Sequence, residues 1–275
     1  MAKSPRIWAM WDKGRAAAPE PMRRCFDLWE RLNPEATLHV VEGEELRRRL
    51  GAYGIDPANN RAAINADILR LDLLAREGGI WVDATLIPTR PLTDWFIGRY
   101  DRTGFFAPAW PASDQLVDTW LLAGQPSNVV WERWLDVMVG TFRKPKRLLN
   151  GYHGPRSLIP LWKYKTDRSW FVRPGPGRDA GFAPYYTVHY AFNHLVEADP
   201  DVAAAWREMP KYPAFLPLAG EFARKRAADA PGFDDALMPI VAASPIHKIN
   251  RRIASHQRII DLAERFVAEG GPAGR

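Results

Sequence analysis

Cysteine occurs once in this 275-residue chain, at Cys25. No intramolecular disulfide can therefore staple it, and a reducing compartment is the default. Arg23 and Arg24 precede Cys25 on an apparent helix and would lower the thiol's pKa. A small buried side chain is the plainer reading. No segment reaches the roughly 18 apolar residues that a membrane-spanning helix needs. No secretory leader precedes the first strand-like segment, so the expected location is the cytoplasm. Charge of one sign is also scarce. The 38 Lys and Arg against 32 Asp and Glu leave a net charge of +6, spread along the chain. Short basic runs stand at 47–49, 143–147 and 251–252. The first reads as a solvated helix face; the functional reading of such runs is attraction to an acidic substrate, an anionic membrane surface or nucleic acid. A nucleic-acid module would cluster its basic residues and expose stacking rings, so nucleic acid is not an expected partner. Absent too are an HExxH, a Walker loop, a CxxC pair and a Ser-His-Asp order. The chemistries those motifs serve are set aside.

What is abundant is apolar and aromatic. Hydrophobic residues make up 47% of the chain, and tryptophan occurs 12 times. A chain of this length and composition buries a large core. Only the Gly- and Ala-rich end, residues 268–275, reads as a flexible tail.

The pattern along the chain predicts an α/β fold. Residues 6–10 read as a short buried strand. A helix opens at Pro19-Glu20-Pro21 and runs to about Leu32, with Met22, Cys25, Phe26 and Trp29 at helical spacing. Residues 38–41 form a second strand, and 44–50 a short charged helix closed by Gly51. Residues 62–76 are a helix apolar nearly all round, hence buried, and Gly78-Gly79 ends it. Residues 80–87 (IWVDATLI) follow as one strand-like run, and 104–107 as another. Strands alternating with helices imply a largely parallel sheet. Beyond this lie a helix at 129–139, a Pro-, Gly- and aromatic-rich stretch at 143–190 that reads as loops with short strands, and an amphipathic helix at 253–268.

Three features carry chemistry. Asp83 is a lone carboxylate in the apolar run, costly to bury without compensation. It sits near the C-terminal end of a strand, where open α/β sheets place their ligands. A metal-binding or catalytic role is the sharper reading, and a turn cap before Pro88 the plainer one. Asp67 and Arg70, at i,i+3 on the buried helix, meet side by side. They form either a structural ion pair or a grip on ribose hydroxyls and phosphate oxygens. Residues 244–248 (SPIHK) place an imidazole that can ligate Mn²⁺ beside an ammonium that can neutralise a diphosphate. An ordinary surface loop is the alternative. No second strand carboxylate partners Asp83, which argues against a two-carboxylate hydrolase.

Residues 66–70 (ADILR) and 78–85 (GGIWVDAT) together resemble the signature of sugar transferases with an Asp-x-Asp motif. More closely, the chain resembles the capsular polysaccharide synthesis proteins, relatives of glycosyltransferase family 32. Residues 7–11 (IWAMW), Ser127-Asn128 with the following helix, and 244–248 fit the same resemblance, which spans residues 4–265. It implies a GT-A fold: a Rossmann-like nucleotide-sugar-binding half over about 1–125 and an acceptor-side half over about 126–267, within one domain of residues 1–267. It implies an enzyme moving a sugar, with retention, from a nucleotide sugar such as a UDP-sugar onto a glycan or lipid-linked glycan, aided by Mn²⁺ or Mg²⁺. The site it implies has Trp11 against the base and Trp81 on the donor side. Asp67 and Arg70 hold ribose and phosphate, Asp83 and His247 the metal, and Lys248 the diphosphate. Thr85 stands where the usual motif has its second Asp, and a hydroxyl is a weaker ligand for a hard cation. A scaffold that binds nucleotide sugars without turnover is the competing reading. The aromatic segments 152–155 and 185–189 are candidates for the acceptor side.

Overall fold

The computed structural model describes residues 5–96, 98–110, 114–149, 158–214, 219–224, 229–250 and 252–271. In chain order the elements are β1 (Arg6–Met10), α1 (Glu20–Leu32), β2 (Thr37–Val41), α2 (Gly43–Gly51), α3 (Ala62–Arg76), β3 (Gly79–Val82), β4 (Leu86–Pro88), α4 (Leu92–Trp95), β5 (Phe105–Phe106), β6 (Leu121–Gly124) and α5 (Val129–Phe142). Then come β7 (Arg147–Leu149), α6 (Leu158–Thr166), α7 (Pro176–Asp179), β8 (Phe182–Pro184), α8 (Thr187–Ala198), α9 (Pro200–Glu208), α10 (Ala219–Arg224), α11 (Phe233–Ala243), β9 (Ile246–Lys248) and α12 (Gln257–Ala268). The chain folds into two compact units. One gathers Met1–Glu42, Ile80–Arg99 and Pro213–Arg275; the other holds Gly43–Gly79 and Tyr100–Tyr212. A division near residue 125, expected from the sequence, differs from this one, in which the chain passes back and forth between units.

In the first unit β1 is the middle strand. It pairs in parallel with β2 from Arg6↔Thr37 to Met10↔Val41, and in parallel with β3 at Ile7↔Ile80 and Trp8↔Trp81. Ile7, Trp8 and Ala9 are all buried, as a near-continuous apolar strand covered on both faces should be. The mixed α/β class with parallel strands is thus as the alternating pattern implied. Helix α1 buries Met22, Cys25, Phe26, Leu28 and Trp29. The Trp29 indole donates to the Leu86 carbonyl at 2.9 Å. At the end of α1, the Asn33 side chain accepts from the Leu92 amide at 2.7 Å. These two bonds tie the helix to the chain around β4. Burial pushes the Cys25 thiol up to about 12 in spite of neighbouring Arg24, so it is an inert core side chain.

The run 80–87 is not one strand. Strand β3 ends at Val82, and the Leu86 amide bonds back to the Asp83 carbonyl at 2.9 Å, closing a turn. Strand β4 then joins a different sheet, antiparallel to β9, in the register Leu86↔Lys248, Ile87↔His247 and Pro88↔Ile246. Asp83 therefore stands just past a strand end, in the turn itself. The strand-like run expected over 80–87 is thus broken at Asp83.

The second unit packs α3 against α5, with Ile64, Ile68, Leu71 and Leu74 buried on the first and Trp131, Trp134 and Met138 on the second. Gly78 ends α3 at φ 66, and its amide reaches the Leu73 carbonyl. A Cβ there would stand 2.6 Å from Pro126 Cδ and 2.8 Å from the Gly124 carbonyl, so only glycine fits. Strands β5 and β6 pair antiparallel at Phe105↔Gly124 and Phe106↔Ala123. Phe105 packs on Trp131 and Trp134 on Phe192, at ring separations of 4.9 and 4.8 Å. These tryptophans are core, whereas Trp162 is 58% exposed. The stretch 143–190 holds the parallel pair β7–β8 but also α6, α7 and the start of α8, more helix than its composition suggested.

Candidate functional site

The C-terminal ends of β1 and β3 lie side by side, because the two strands run parallel in register. Trp11 follows β1, half-buried, its amide bonded to the Val41 carbonyl at 3.1 Å. Asp83 follows β3. This is the end of a parallel sheet at which α/β proteins bind ligands.

The Asp83 carboxylate is 24% exposed and held from two sides. The Trp81 indole donates to Oδ1 at 3.1 Å. The Lys248 ammonium donates to Oδ2 at 2.5 Å and to the Thr85 hydroxyl at 2.7 Å. Lys248 arrives through strand pairing: β9 lies on β4 opposite Leu86, and the Ile249 amide bonds to the Thr85 carbonyl at 3.0 Å. Two residues 165 positions apart are thus fixed by a backbone register. Gly220 on α10 presses on the same strand. A Cβ there would fall 2.6 Å from the Lys248 carbonyl oxygen.

Neighbouring strand residues point to opposite faces, and His247 shows it. It is 0% exposed, and its Nε2 donates to the Val241 carbonyl at 2.9 Å. Burial drives its pKa down to about 4, so the ring is neutral. The structure places His247, expected as a metal ligand beside Asp83, in the core on the face of β9 opposite Lys248. Trp81, expected on the donor side, is 1% exposed, and its indole is bonded to Asp83. Trp8 is likewise core, edge-on to His39.

Asp67 and Arg70 belong to the second unit and meet there as their spacing requires, at 3.2 Å. Both are buried. The Arg70 guanidinium also donates to the Thr119 carbonyl at 2.6 Å and the Ala66 carbonyl at 3.2 Å. Of the acceptor-side candidates, Tyr185 and Tyr186 are exposed and stand edge to face, 5.1 Å apart, while His189 is buried. Residues 152–155 lie outside the described residues.

The model of one protein family, described as capsular polysaccharide synthesis protein, matches residues 1–163, more than half of the chain. The chain belongs to the capsular polysaccharide synthesis protein family. Among curated relatives of this family member, O-glycosyltransferase braB of Annulohypoxylon truncatum is 24% identical over 152 residues, 48% of this chain and 36% of the relative. O-glycosyltransferase PaGT of Phomopsis amygdali is 26% identical over 153 residues, 48% of this chain and 37% of the relative. The match thus spans little more than a third of either relative's length. Two solved structures align at low similarity: PaToxG Glycosyltransferase, at TM-score 0.43 and 12% identity over 96% of this chain and 87% of that one, and the glycosyltransferase GlyE of Streptococcus pneumoniae TIGR4, at 0.44 and 11% over 99% and 66%.

The family member's donor set does not suit a divalent cation. Mg²⁺ is commonly held by one or two carboxylates beside waters and substrate phosphates, so the obstacle is the cation already in place. Here one carboxylate and one hydroxyl converge, and an ammonium already bridges them. No group of three or more His, Cys, Asp and Glu side chains able to hold a metal ion occurs among the described residues. Nor, among those residues, is any helix long and apolar enough to cross a membrane.

Proposed function

We propose that this chain is a glycosyltransferase that moves a sugar from a nucleotide-sugar donor onto a glycan in the making of a surface polysaccharide. The observation that carries the reading is the Trp81–Asp83–Lys248–Thr85 cluster at the C-terminal end of parallel strands, in a member of a capsular polysaccharide family. The O-glycosyltransferase names of the relatives support the reaction class.

The chemistry asks for little more. As the bond from the anomeric carbon to the diphosphate breaks, its electron pair stays on the phosphate oxygen and negative charge grows there. A fixed cation aimed at that oxygen lowers the barrier most when it need not reorganise. Lys248 is such a cation, held in place by Asp83 and Thr85. The acceptor hydroxyl bonds to the anomeric carbon. With retention it attacks on the face the diphosphate leaves, and the departing phosphate oxygen takes its proton. Trp11, at the neighbouring strand end, stacks on the base of the donor, for which a UDP-sugar is the first choice. Asp67 and Arg70 are assigned to ribose and phosphate only if their substitution moves donor affinity more than stability.

The test is product formation from UDP-sugars by the purified chain, followed as released UDP and as labelled glycan. Turnover that survives Asp83→Asn and Lys248→Met would sink the reading. Donor binding without turnover under any acceptor would mark a scaffold instead.

A further inference from the structure

The geometry points to Lys248 as the built-in replacement for a divalent metal: we propose that Asp83 holds this ammonium, and no Mn²⁺ or Mg²⁺, against the donor's diphosphate. The inference rests on the glycosyltransferase reading for the identity of the anion, but its structural half stands without it.

Four observations converge. First, the ammonium already bonds both groups a metal would need, at 2.5 Å to Asp83 Oδ2 and 2.7 Å to Thr85 Oγ1. A divalent cation placed there would have to expel a like charge. Second, the other carboxylate oxygen is taken by the Trp81 indole at 3.1 Å, which disfavours a bidentate grip on a cation. Third, the residue that could have added a ligand, His247, is turned into the core and bonded to Val241. Fourth, the lysine is not loosely placed. Its strand is fixed by pairing opposite Leu86, by the Ile249–Thr85 bond at 3.0 Å, and by the close approach of Gly220 to its carbonyl. At 32% exposure the ammonium still reaches solvent, so an incoming phosphate oxygen can share it. Lysine binds phosphate as a compact point charge with three donors. Two are spent on Asp83 and Thr85, and the third is left for the anion. Thr85, a weak substitute for a metal-binding Asp, is a good acceptor for an ammonium.

The experiment has two arms. In the first, Mn²⁺ alone is titrated into the full chain and free Mn²⁺ is read by electron paramagnetic resonance, for wild type and Asp83→Asn. Equal binding by both is expected; Asp83-dependent Mn²⁺ binding overturns the proposal. In the second, UDP affinity is measured by calorimetry in EDTA and in Mn²⁺. Wild type is expected to change by no more than about twofold between the two, and Lys248→Met to bind UDP about tenfold more weakly than wild type in EDTA. A tenfold or greater loss of wild-type affinity in EDTA overturns the proposal, because the metal then arrives with the nucleotide. So does an unchanged affinity in Lys248→Met. If UDP binds no variant under any condition, the glycosyltransferase reading fails, while the Mn²⁺ arm still decides whether Asp83 is a metal site.

Discussion

Asp72 and Asp83 are both aspartates that hold cations, one in each unit. Asp72 is 2% exposed. Its oxygens take Arg49 at 2.9 Å, Arg76 at 2.7 Å and the Tyr53 hydroxyl at 2.5 Å, and Arg49 also bonds Glu45 and Glu77. Every partner comes from α2, α3 or the turn that follows each. Asp83 is 24% exposed, bonds the Lys248 ammonium and the Trp81 indole, and draws the ammonium from a strand 165 residues away. A saturated buried network fixes the position of its helices and has nothing left to offer a ligand. A half-exposed pair, brought together by long-range strand register and open on one side to water, has a donor to spare. The difference separates framework from candidate site better than charge or burial alone, since both carboxylates bond basic groups.

Four experiments press on that contrast. The largest effect is expected at the working pair. Asp83→Ala should cut transfer by about a hundredfold or more, the scale of losing a group that stabilises transition-state charge, with the thermal midpoint nearly unchanged. A variant with near-normal turnover would erase the distinction. Asp72→Ala should do the reverse. Stripping the buried carboxylate from its partners Arg49 and Tyr53 should cost about 3 kcal/mol of stability, read as a shift in denaturant midpoint, with donor affinity intact in the folded fraction.

The third test uses the neighbour of Lys248 on β9. Unfolded His247 takes a proton below its ordinary value of 6.5, but the folded ring does so only near about 4. Between these values the unfolded state binds more protons, so stability falls as pH drops from about 6.5 toward 4 and is level above. The loss should reach on the order of 3 kcal/mol, and His247→Gln should flatten the profile. An unchanged profile would mean that the imidazole is not the buried neutral group described above. The smallest effect is expected at Trp11, beside Asp83 at the strand ends. Trp11→Ala should weaken donor binding by about 1–3 kcal/mol in a calorimetric titration. A large fall in stability with donor affinity unchanged would move Trp11 into the framework class.

Much of the framework was legible in the sequence because it is local. The stripe on α1 and the all-round apolar α3 need only helical spacing, and both helices stand where that spacing put them. The turn at Gly78 needs only a residue that tolerates positive φ. Asp83 stood out as a carboxylate in an apolar run. What the run concealed was its break: residues 80–82 and 86–88 are equally strand-like, and no period marks the point where the chain changes sheets. The burial of His247 was hidden for a related reason. As part of a loop, residues 244–248 would present both polar side chains together, but β4 makes three of them a strand, and pairing turns one inward. The helices within 143–190 were hidden by proline and aromatic content that a local reading takes for loops. Their stability comes from packing, as at Trp134, whose indole donates to the Val188 carbonyl at 2.8 Å.

Strand β9 is three residues long and carries two groups with opposite fates. A strand's faces exchange when its register slips by one. One residue inserted just before β9, with the pairing to β4 retained, would bring an imidazole to Asp83 and drive a lysine into the core. Which side chain meets Asp83 can therefore be changed by an insertion or deletion as well as by a substitution. Engineering a metal requirement into this chain should accordingly begin with the length of the segment joining α11 to β9, together with an apolar residue to follow the new histidine inward.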